Sequence, residues 1–191
     1  AQVSAQNHYK SNNALQFMLE SLDDLAGQLA AKGGKLHLFY GDPADVVATL
    51  IKEHDIDAVF VNRDYTPFSI KRDQALEARC KKQDVSFHAY DDALLNPPAA
   101  ACKSDGSSYS IFTPYFNNAS KISVPAVRQN KHTNYAVLAQ AHVETKSILD
   151  ERNDNIFAQG GRAEAKKVLA HLDRYSNYEQ ERDLPAVNGT T

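Results

Sequence analysis

The richest cluster of recognition side chains in the sequence is Asn62-Arg63-Asp64-Tyr65. Asn62 can donate and accept hydrogen bonds, Arg63 presents a planar fork of N–H donors that fits phosphate or carboxylate, and Tyr65 offers a ring for stacking. These residue types suit a small-molecule crevice. They suit equally a capped turn that carries a solvent-exposed ion pair, and the sequence leaves both interpretations open.

Other familiar chemical patterns are missing from the sequence. No Walker or G-x-G-x-x-G loop follows a predicted strand, which argues against nucleoside triphosphate hydrolysis and ordinary dinucleotide dehydrogenation. The seven histidines have no partner at motif spacing. Cys80 and Cys102 are too few for a disulfide framework and lack the paired spacing of a zinc site, which favours a reducing, cytoplasmic setting. We therefore predict no catalytic residue and no metal ligand.

A helix and a strand lead toward the cluster. Apolar residues at three- and four-residue steps predict an amphipathic helix over residues 13–32, with an N-cap in Ser11-Asn12-Asn13 and a stop at Gly33-Gly34. Residues 35–40 follow as a predicted strand. In the next turn, Gly41-Asp42-Pro43, the aspartate caps a second helix and the proline takes its first position.

Two more units complete the pattern. The apolar run over residues 57–61 is short and nearly continuous, which predicts a parallel strand covered on both faces. A helix over residues 68–83 and a strand over residues 85–90 follow. Three helix-then-strand units with short connections predict an α/β, Rossmann-like fold with a parallel sheet. Ligands of such sheets bind beyond the carboxyl ends of the strands, where residues 62–65 fall.

The series begins with a helix, whereas a doubly wound sheet normally starts from a central strand. Residues 1–10 are polar and show no strand pattern. We therefore expect a sheet that lacks its first strands, in a chain truncated at its N-terminus. The open edge of such a sheet must be covered by rearrangement or by another copy, so the chain is a candidate homo-oligomer.

Beyond residue 90 the helix-and-strand pattern stops. Residues 91–110 predict an extended connection with a hairpin turn. A short aromatic anchor, residues 111–116, follows at its end. A further helix is predicted over residues 162–175. The predicted segments are an α/β domain over residues 1–122, an interdomain linker over residues 123–159 and a short helical segment over residues 160–191.

Composition sets further limits on function. The 191 residues are 42% hydrophobic and 24% charged, which suffices for one sizeable core plus an appended segment. The sequence has no apolar run of about eighteen or more residues and no signal-peptide pattern, so we expect no membrane span. The formal net charge of -3 lacks the basic excess of a dedicated duplex-DNA binder.

The C-terminal residues carry the most specific motif. Tyr178 is followed by Arg182-Asp183-Leu-Pro185-Ala and, at the end of the chain, by Gly189-Thr190-Thr191. This spacing resembles the start of the flavin domain in the DNA photolyase and cryptochrome family. Further resemblances to the family are the first helix, Gly41-Asp42-Pro43, residues 62–65, Lys71-Arg72-Asp73, residues 112–116 and Gly160-Gly161-Arg162. The family's opening signature, Phe-Arg-x-Asp-Leu-Arg, is absent, in keeping with the expected truncation.

The resemblance implies a fragment of a light-dependent DNA repair enzyme, a cyclobutane pyrimidine dimer photolyase, in which reduced FAD passes an electron to the lesion in UV-damaged DNA. It also implies that Tyr178 hydrogen-bonds the FAD phosphate and that Thr190 and Thr191 begin the cradle around it. A diphosphate suits such hydroxyl donors. The helices that hold the flavin ring are not in this chain, so we expect these residues alone to be inactive.

The resemblance also implies an antenna domain. Folate-type members carry an Asn-Glu pair just before Arg-x-Arg-Asp, whereas here Phe68-Ser69 precede Ile70-Lys71-Arg72-Asp73. A deazaflavin or flavin in the crevice near residues 62–65 is therefore favoured over folate, and the absence of any antenna pigment stays open. Two other functions stay open as well: a cryptochrome photoreceptor with the same cofactor, and a flavodoxin-like small-ligand module unrelated to light.

Overall fold

A computed structural model describes residues 11–92, 94–127, 129–138, 143–144, 147–149, 151–184 and 186–187. The chain forms two compact units. The first unit combines the residues up to Phe39 with those from Lys131 onward, and the second unit runs from Tyr40 to Asn130. Among the described residues, no helix is long and apolar enough to cross a membrane. The division into domains predicted from the sequence stays a prediction.

Helix α1, Asn12–Ala30, is the longest element of the first unit. The Ser11 side chain accepts a hydrogen bond from the N–H of Ala14 at 3.4 Å, so the predicted N-cap is confirmed. Leu15 and Leu19 are buried on one face, as their four-residue spacing predicts. The helix stops near Gly33, whose φ of +76° lies in the left-handed region.

The second unit contains the α/β pattern. Its main elements are α2 (Pro43–Glu53), β1 (Ala58–Asn62), α3 (Pro67–Lys82) and β2 (Ser86–Tyr90). Strands β1 and β2 pair in parallel, with Phe60 opposite His88. Helix α3 packs against α2 and β2 and buries Leu76 and the free thiol of Cys80. The predicted α/β class and parallel pairing are confirmed.

The start of α2 is set by its own sequence. The Asp42 carboxylate accepts hydrogen bonds from the N–H groups of Ala44 at 2.9 Å and Asp45 at 3.2 Å. Pro43 occupies the first turn, where its missing N–H is not needed. Both roles agree with the prediction from the Gly41-Asp42-Pro43 turn, and they fix the path of the chain between Tyr40 and β1.

Residues 35–40 do not form the predicted strand, because in the described residues the sheet consists of β1 and β2. A strand exists only where a neighbour supplies a ladder of hydrogen bonds. Here the Leu38 carbonyl accepts from the N–H of Val143 at 2.9 Å, and His37 Nε2 accepts from the N–H of Leu138 at 3.2 Å. The segment is irregular in spite of its apolar sequence.

The expectation that the strand over residues 57–61 is covered on both faces is wrong. Burial alternates along β2 and over the last four residues of β1, where Val59 and Val61 are half-buried while Phe60 is 62% exposed. Coverage of both faces requires helices on both sides of the sheet. In this unit α3 packs on β2, and the opposite face, which carries Phe60 and Tyr90, stays open to solvent.

The remaining elements are short. In the described part of the chain they include a 3₁₀ turn at Pro98–Ala101, α4 at Phe112–Ala119, α5 at Arg162–Ala170, another 3₁₀ turn at Leu172–Tyr175 and α6 at Tyr178–Glu181. The aromatic segment is thus helical, because Phe112 and Phe116 lie four residues apart and stack at 5.8 Å. The predicted helix over residues 162–175 breaks at His171, whose φ of -128° and ψ of 37° are not helical.

Candidate functional site

The strand-end residues of β1 and β2 converge on Asp91. Arg63 continues the ladder by donating its N–H to the Tyr90 carbonyl at 2.8 Å. Its guanidinium Nη1 then donates to both carboxylate oxygens of Asp91, at 3.1 and 3.0 Å. The Tyr65 hydroxyl donates to Asp91 Oδ1 at 2.7 Å. We call Arg63, Tyr65 and Asp91 the Asp91 cluster.

Hydrogen bonding reinforces the ordinary charge states of the Asp91 cluster. The bond from Tyr65, followed by the nearby Arg63 guanidinium, holds the pKa of Asp91 below its ordinary value. The same bond raises the pKa of the Tyr65 phenol, because an ionised phenolate would face the carboxylate. The cluster at neutral pH is therefore a carboxylate bound by a guanidinium and a neutral phenol.

Asp64 has a different role from its neighbours, since it organises the start of α3. Its carboxylate accepts from the N–H of Thr66 at 3.0 Å and from the Ser69 hydroxyl at 2.8 Å. The Thr66 hydroxyl accepts from the N–H of Ser69 at 3.3 Å and caps the helix. Both bonds to Asp64 lower its pKa. The capped turn with an exposed ion pair, one of the two sequence interpretations, is present in the structure.

Residues 62–65, 90 and 91 form a rim at the ends of β1 and β2, and part of this rim is available to a ligand. The side chain of Arg63 is 46% exposed and that of Asp91 is 32% exposed. The rings of Tyr65 and Tyr90 are 38% and 53% exposed, and Asn62 lies at the exposed end of β1. The rim can therefore offer ring faces and amide hydrogen bonds to a flat molecule, while the charges of Arg63 and Asp91 compensate each other.

The predicted FAD-phosphate residues lie at the C-terminus of the first unit. Tyr178 begins α6, and its side chain is about half exposed. Arg182 and Asp183 form a loose ion pair at 3.6 Å. Thr190 and Thr191 lie outside the described residues. Their predicted part in the phosphate cradle stays a prediction.

The structure also shows a polar site that sequence reasoning missed. Asn13, Gln16, Glu20 and Asp24 form one stripe along α1, and we call it the polar stripe. Each of the four contacts a residue in the range 152–163. The three- and four-residue spacing of the stripe was visible in the sequence, but polar residues at helical spacing usually mark a solvated face.

Comparison with known proteins places this geometry in context. A protein-family model described as DNA photolyase matches residues 2–133. A deoxyribodipyrimidine photo-lyase from Alkalihalophilus pseudofirmus is 26% identical over 185 residues, which cover 92% of this chain and 39% of the relative. Cryptochrome-1 from Aedes aegypti is 37% identical over 73 residues, which cover 38% of this chain and 13% of the relative.

A solved structure shares the fold. The archaeal photolyase from Sulfolobus tokodaii, which was crystallised with two FAD molecules and implies a novel light-harvesting cofactor, superimposes with a TM-score of 0.76 at 30% identity. The similarity covers 90% of this chain and 39% of that one. The chain thus spans about two fifths of the length of these two photolyases.

Proposed function

The chain belongs to the DNA photolyase family, and we propose that it supplies the antenna domain and first flavin contacts of a cyclobutane pyrimidine dimer photolyase. The observation that carries the proposal is the alignment of 92% of the chain with a deoxyribodipyrimidine photo-lyase. Because the chain spans 39% of that relative, repair of UV-damaged DNA is proposed for a longer protein that contains it. The chain alone is expected to be inactive. We propose that the longer protein works in the cytoplasm.

The residues near the C-terminus suit the phosphates of FAD. The half-exposed hydroxyl of Tyr178 can donate a charge-assisted hydrogen bond to a phosphate oxygen, and Thr190 and Thr191 add two more hydroxyl groups. When bound in reduced form, FAD supplies the light-excited electron that opens the pyrimidine dimer. The part of this chain is to hold and orient the diphosphate, not to perform the electron transfer.

Repair itself tests the proposal. A longer protein that contains these residues, loaded with reduced FAD, should restore a dimer-containing oligonucleotide under blue light and not in the dark. Tyr178→Phe should weaken FAD retention by about tenfold, since it removes one hydrogen bond to a charged group. Tyr175→Phe removes a hydroxyl from the preceding 3₁₀ turn and is the matched control. An intact dimer after illumination of the FAD-loaded protein would reject the repair function.

One comparison favours a second candidate, a cryptochrome-type blue-light photoreceptor. The 37% identity with Cryptochrome-1 of Aedes aegypti exceeds the identity with the photo-lyase from Alkalihalophilus, although it covers only 38% of the chain. A photoreceptor would keep FAD and its response to light but leave the dimer intact. The repair assay therefore separates the two candidates.

We also propose an antenna pigment of the deazaflavin or flavin type at the rim formed by Asn62, Arg63, Asp64 and Tyr65. The exposed Tyr65 ring supports this proposal, because a flat heterocycle can stack on it while Asn62 bonds its edge. The Sulfolobus photolyase with two FAD molecules shows that a relative can hold a second flavin. Folate is the less favoured pigment.

Pigment binding can be measured on the chain itself. Fluorescence titration with FMN, FAD, a deazaflavin and a reduced folate should show tighter binding of the first three. Tyr65→Ala should weaken that binding by about tenfold through loss of stacking. Tyr109→Ala, which alters a ring outside the rim, is the control. Equal binding by the wild type and Tyr65→Ala would place the pigment elsewhere or exclude it.

A further inference from the structure

Two carboxylates on α1 hold the backbone that leads into α5. Glu20 and Asp24 lie four residues apart and therefore on the same face of the helix. Glu20 Oε2 accepts a hydrogen bond from the N–H of Gly160 at 2.8 Å. Asp24 Oδ2 accepts from the N–H of Arg162 at 2.7 Å and from that of Ala163 at 3.3 Å. Three N–H groups of a distant segment, those of Gly160, Arg162 and Ala163, are thus bound by two carboxylates of α1.

Asp24 takes the place of a missing N-cap on α5. The first N–H groups of a helix have no partner within the helix, and a side chain at the N-cap usually accepts from them. The N-cap residue of α5 is Gly161, which has no side chain to do so. The carboxylate of Asp24 accepts from the first two N–H groups instead, and its charge is favourable at the positive end of the helix dipole.

The two glycines allow this close approach. A Cβ atom on Gly160 would overlap the carbonyl oxygen of Phe17 and lie 2.7 Å from the Ser21 hydroxyl. Gly161 has a φ of +114°, which L side chains rarely adopt, and a Cβ there would lie 3.0 Å from Cβ of Asp24. The Gly160-Gly161 pair therefore lets the backbone lie directly on α1.

The rest of the polar stripe extends the contact. The buried Gln16 side chain accepts from the N–H of Asn153 at 2.8 Å and donates to the Asn153 carbonyl at 3.2 Å. It also donates to Glu20 at 2.9 Å, and Arg152 pairs with Glu20 at 2.6 Å. The Glu20 carboxylate is thus held by three donors, which are Gln16, Arg152 and the N–H of Gly160.

We propose that Glu20 and Asp24 are positioning residues that fix the start of α5 on α1 and so set the path of the chain to Tyr178. The assignment of a flavin role to Tyr178 rests on the proposed function, but the contact itself does not. For Tyr178 to meet a phosphate, the segment that leads to it has to be held at a defined place. Here that task falls to backbone donors and two carboxylates, not to apolar packing.

Amide hydrogen exchange of the 191-residue chain, followed residue by residue by NMR, tests the proposal without any flavin. Asp24→Ala should speed the exchange of the Arg162 and Ala163 amides by about tenfold, because it removes charge-assisted hydrogen bonds. The Tyr178 amide resonance should shift as well. Glu77→Ala, which removes an exposed carboxylate of α3, is the control and should change none of these signals.

A conservative variant shows whether the acceptor, and not side-chain packing, carries the effect. Asparagine caps helices about as well as aspartate, so Asp24→Asn should keep exchange within about threefold of the wild type. Should Asp24→Ala not fold, Asp24→Asn and Glu20→Ala decide the question. Exchange at Gly160 that is unchanged in Glu20→Ala, or at Arg162 in Asp24→Ala, would overturn the proposal while leaving the repair function untouched.

Discussion

Asp91 accepts hydrogen bonds from two side chains of the turn that follows β1. Because both donors are already bound to Asp91, these bonds limit what the rim can bind. The Arg63 guanidinium is committed to Asp91 through both carboxylate oxygens. An anionic pigment would therefore have to compete for Arg63, whereas a neutral ring only has to stack on Tyr65. The chemistry of the rim favours a ligand that is flat and bound by its face.

Replacing Asp91 should change the titration of Tyr65. In Asp91→Asn the carboxylate charge is lost, and the raised pKa of the Tyr65 phenol should fall toward its ordinary value. The raised pKa stabilises the fold below the unfolded pKa of about 10 and loses its effect as pH rises through the folded pKa. Alkaline titration of phenolate absorbance measures the change, and Tyr65→Phe identifies the signal.

The control for that titration is Asp92→Asn, which removes the neighbouring carboxylate. It should leave the Tyr65 transition where it is in the wild type. A Tyr65 transition that is equal in Asp91→Asn and the wild type would mean that the 2.7 Å bond is not maintained in solution.

Glu20 should contribute a measurable part of the acid sensitivity of the first unit. The bond from the Gly160 N–H, followed by that from Gln16, lowers its pKa in the folded chain. A lowered carboxyl pKa stabilises the fold above the unfolded value of about 4.3 and loses this effect as pH falls through the folded value. Glu20→Gln should therefore flatten the decline of unfolding free energy below about pH 4.

Denaturant unfolding at a series of pH values measures this slope. Glu151→Gln, which removes an exposed carboxylate, controls for the loss of one charge. An acid slope that is identical in Glu20→Gln and the wild type would contradict the assignment.

Elements whose signals are local could be predicted from the sequence. The start of α2 follows from Asp42 and Pro43, and α3 at Pro67–Lys82 lies within one residue of its predicted bounds. The strand over residues 35–40 could not be judged in the same way, because its apolar pattern does not reveal whether a neighbour is available. The local pattern also did not predict that the aromatic segment, residues 111–116, forms the start of the helix α4.

The candidate sites differ in the same way, because one has a local sequence signal and the other depends on distant residues. The turn at residues 62–65 could be found because it follows a strand in sequence, although its binding to Asp91 could not be foreseen. The polar stripe was missed because its partners are far along the chain: Gln16 and Asn153 are 137 residues apart. No helical periodicity indicates which distant backbone a polar face will receive.

Two glycines of the first unit should respond in opposite ways to alanine. Gly160→Ala should lower the unfolding free energy by about 1–3 kcal/mol, since the new Cβ collides with the backbone of α1. Gly27→Ala is the matched control within α1, where a Cβ would meet nothing within 4 Å. It should raise the unfolding free energy by about 0.5–1 kcal/mol through helix propensity. Thermal or denaturant unfolding measures both, and similar effects of the two changes would contradict the close contact.

At the scale of the whole molecule, the most notable feature is the solvent-exposed face of the sheet that carries Phe60 and Tyr90. Two strands alone make a marginal sheet. Phe60, His88 and Tyr90 stack along one face with ring centroids 5.0 to 6.4 Å apart, and the first and last are more than half exposed. Exposed apolar surface of this kind usually marks an interaction site.

The homo-oligomer expected from the open edge of the sheet would also cover this face, and it remains a prediction. We expect the chain to associate as its concentration rises, because pairing of two copies would cover the aromatic face and the free edge of the sheet. Phe60→Ser should weaken this association by tenfold or more, in keeping with about 1.5–3 kcal/mol for burial of one phenylalanine side chain. Sedimentation velocity over a range of concentrations measures this association.

Phe157→Ser is the control, because Phe157 is 68% exposed but belongs to the first unit. A wild-type chain that stays monomeric at every concentration would show that the face is tolerated in water, and equal weakening by both variants would show that association does not use the sheet.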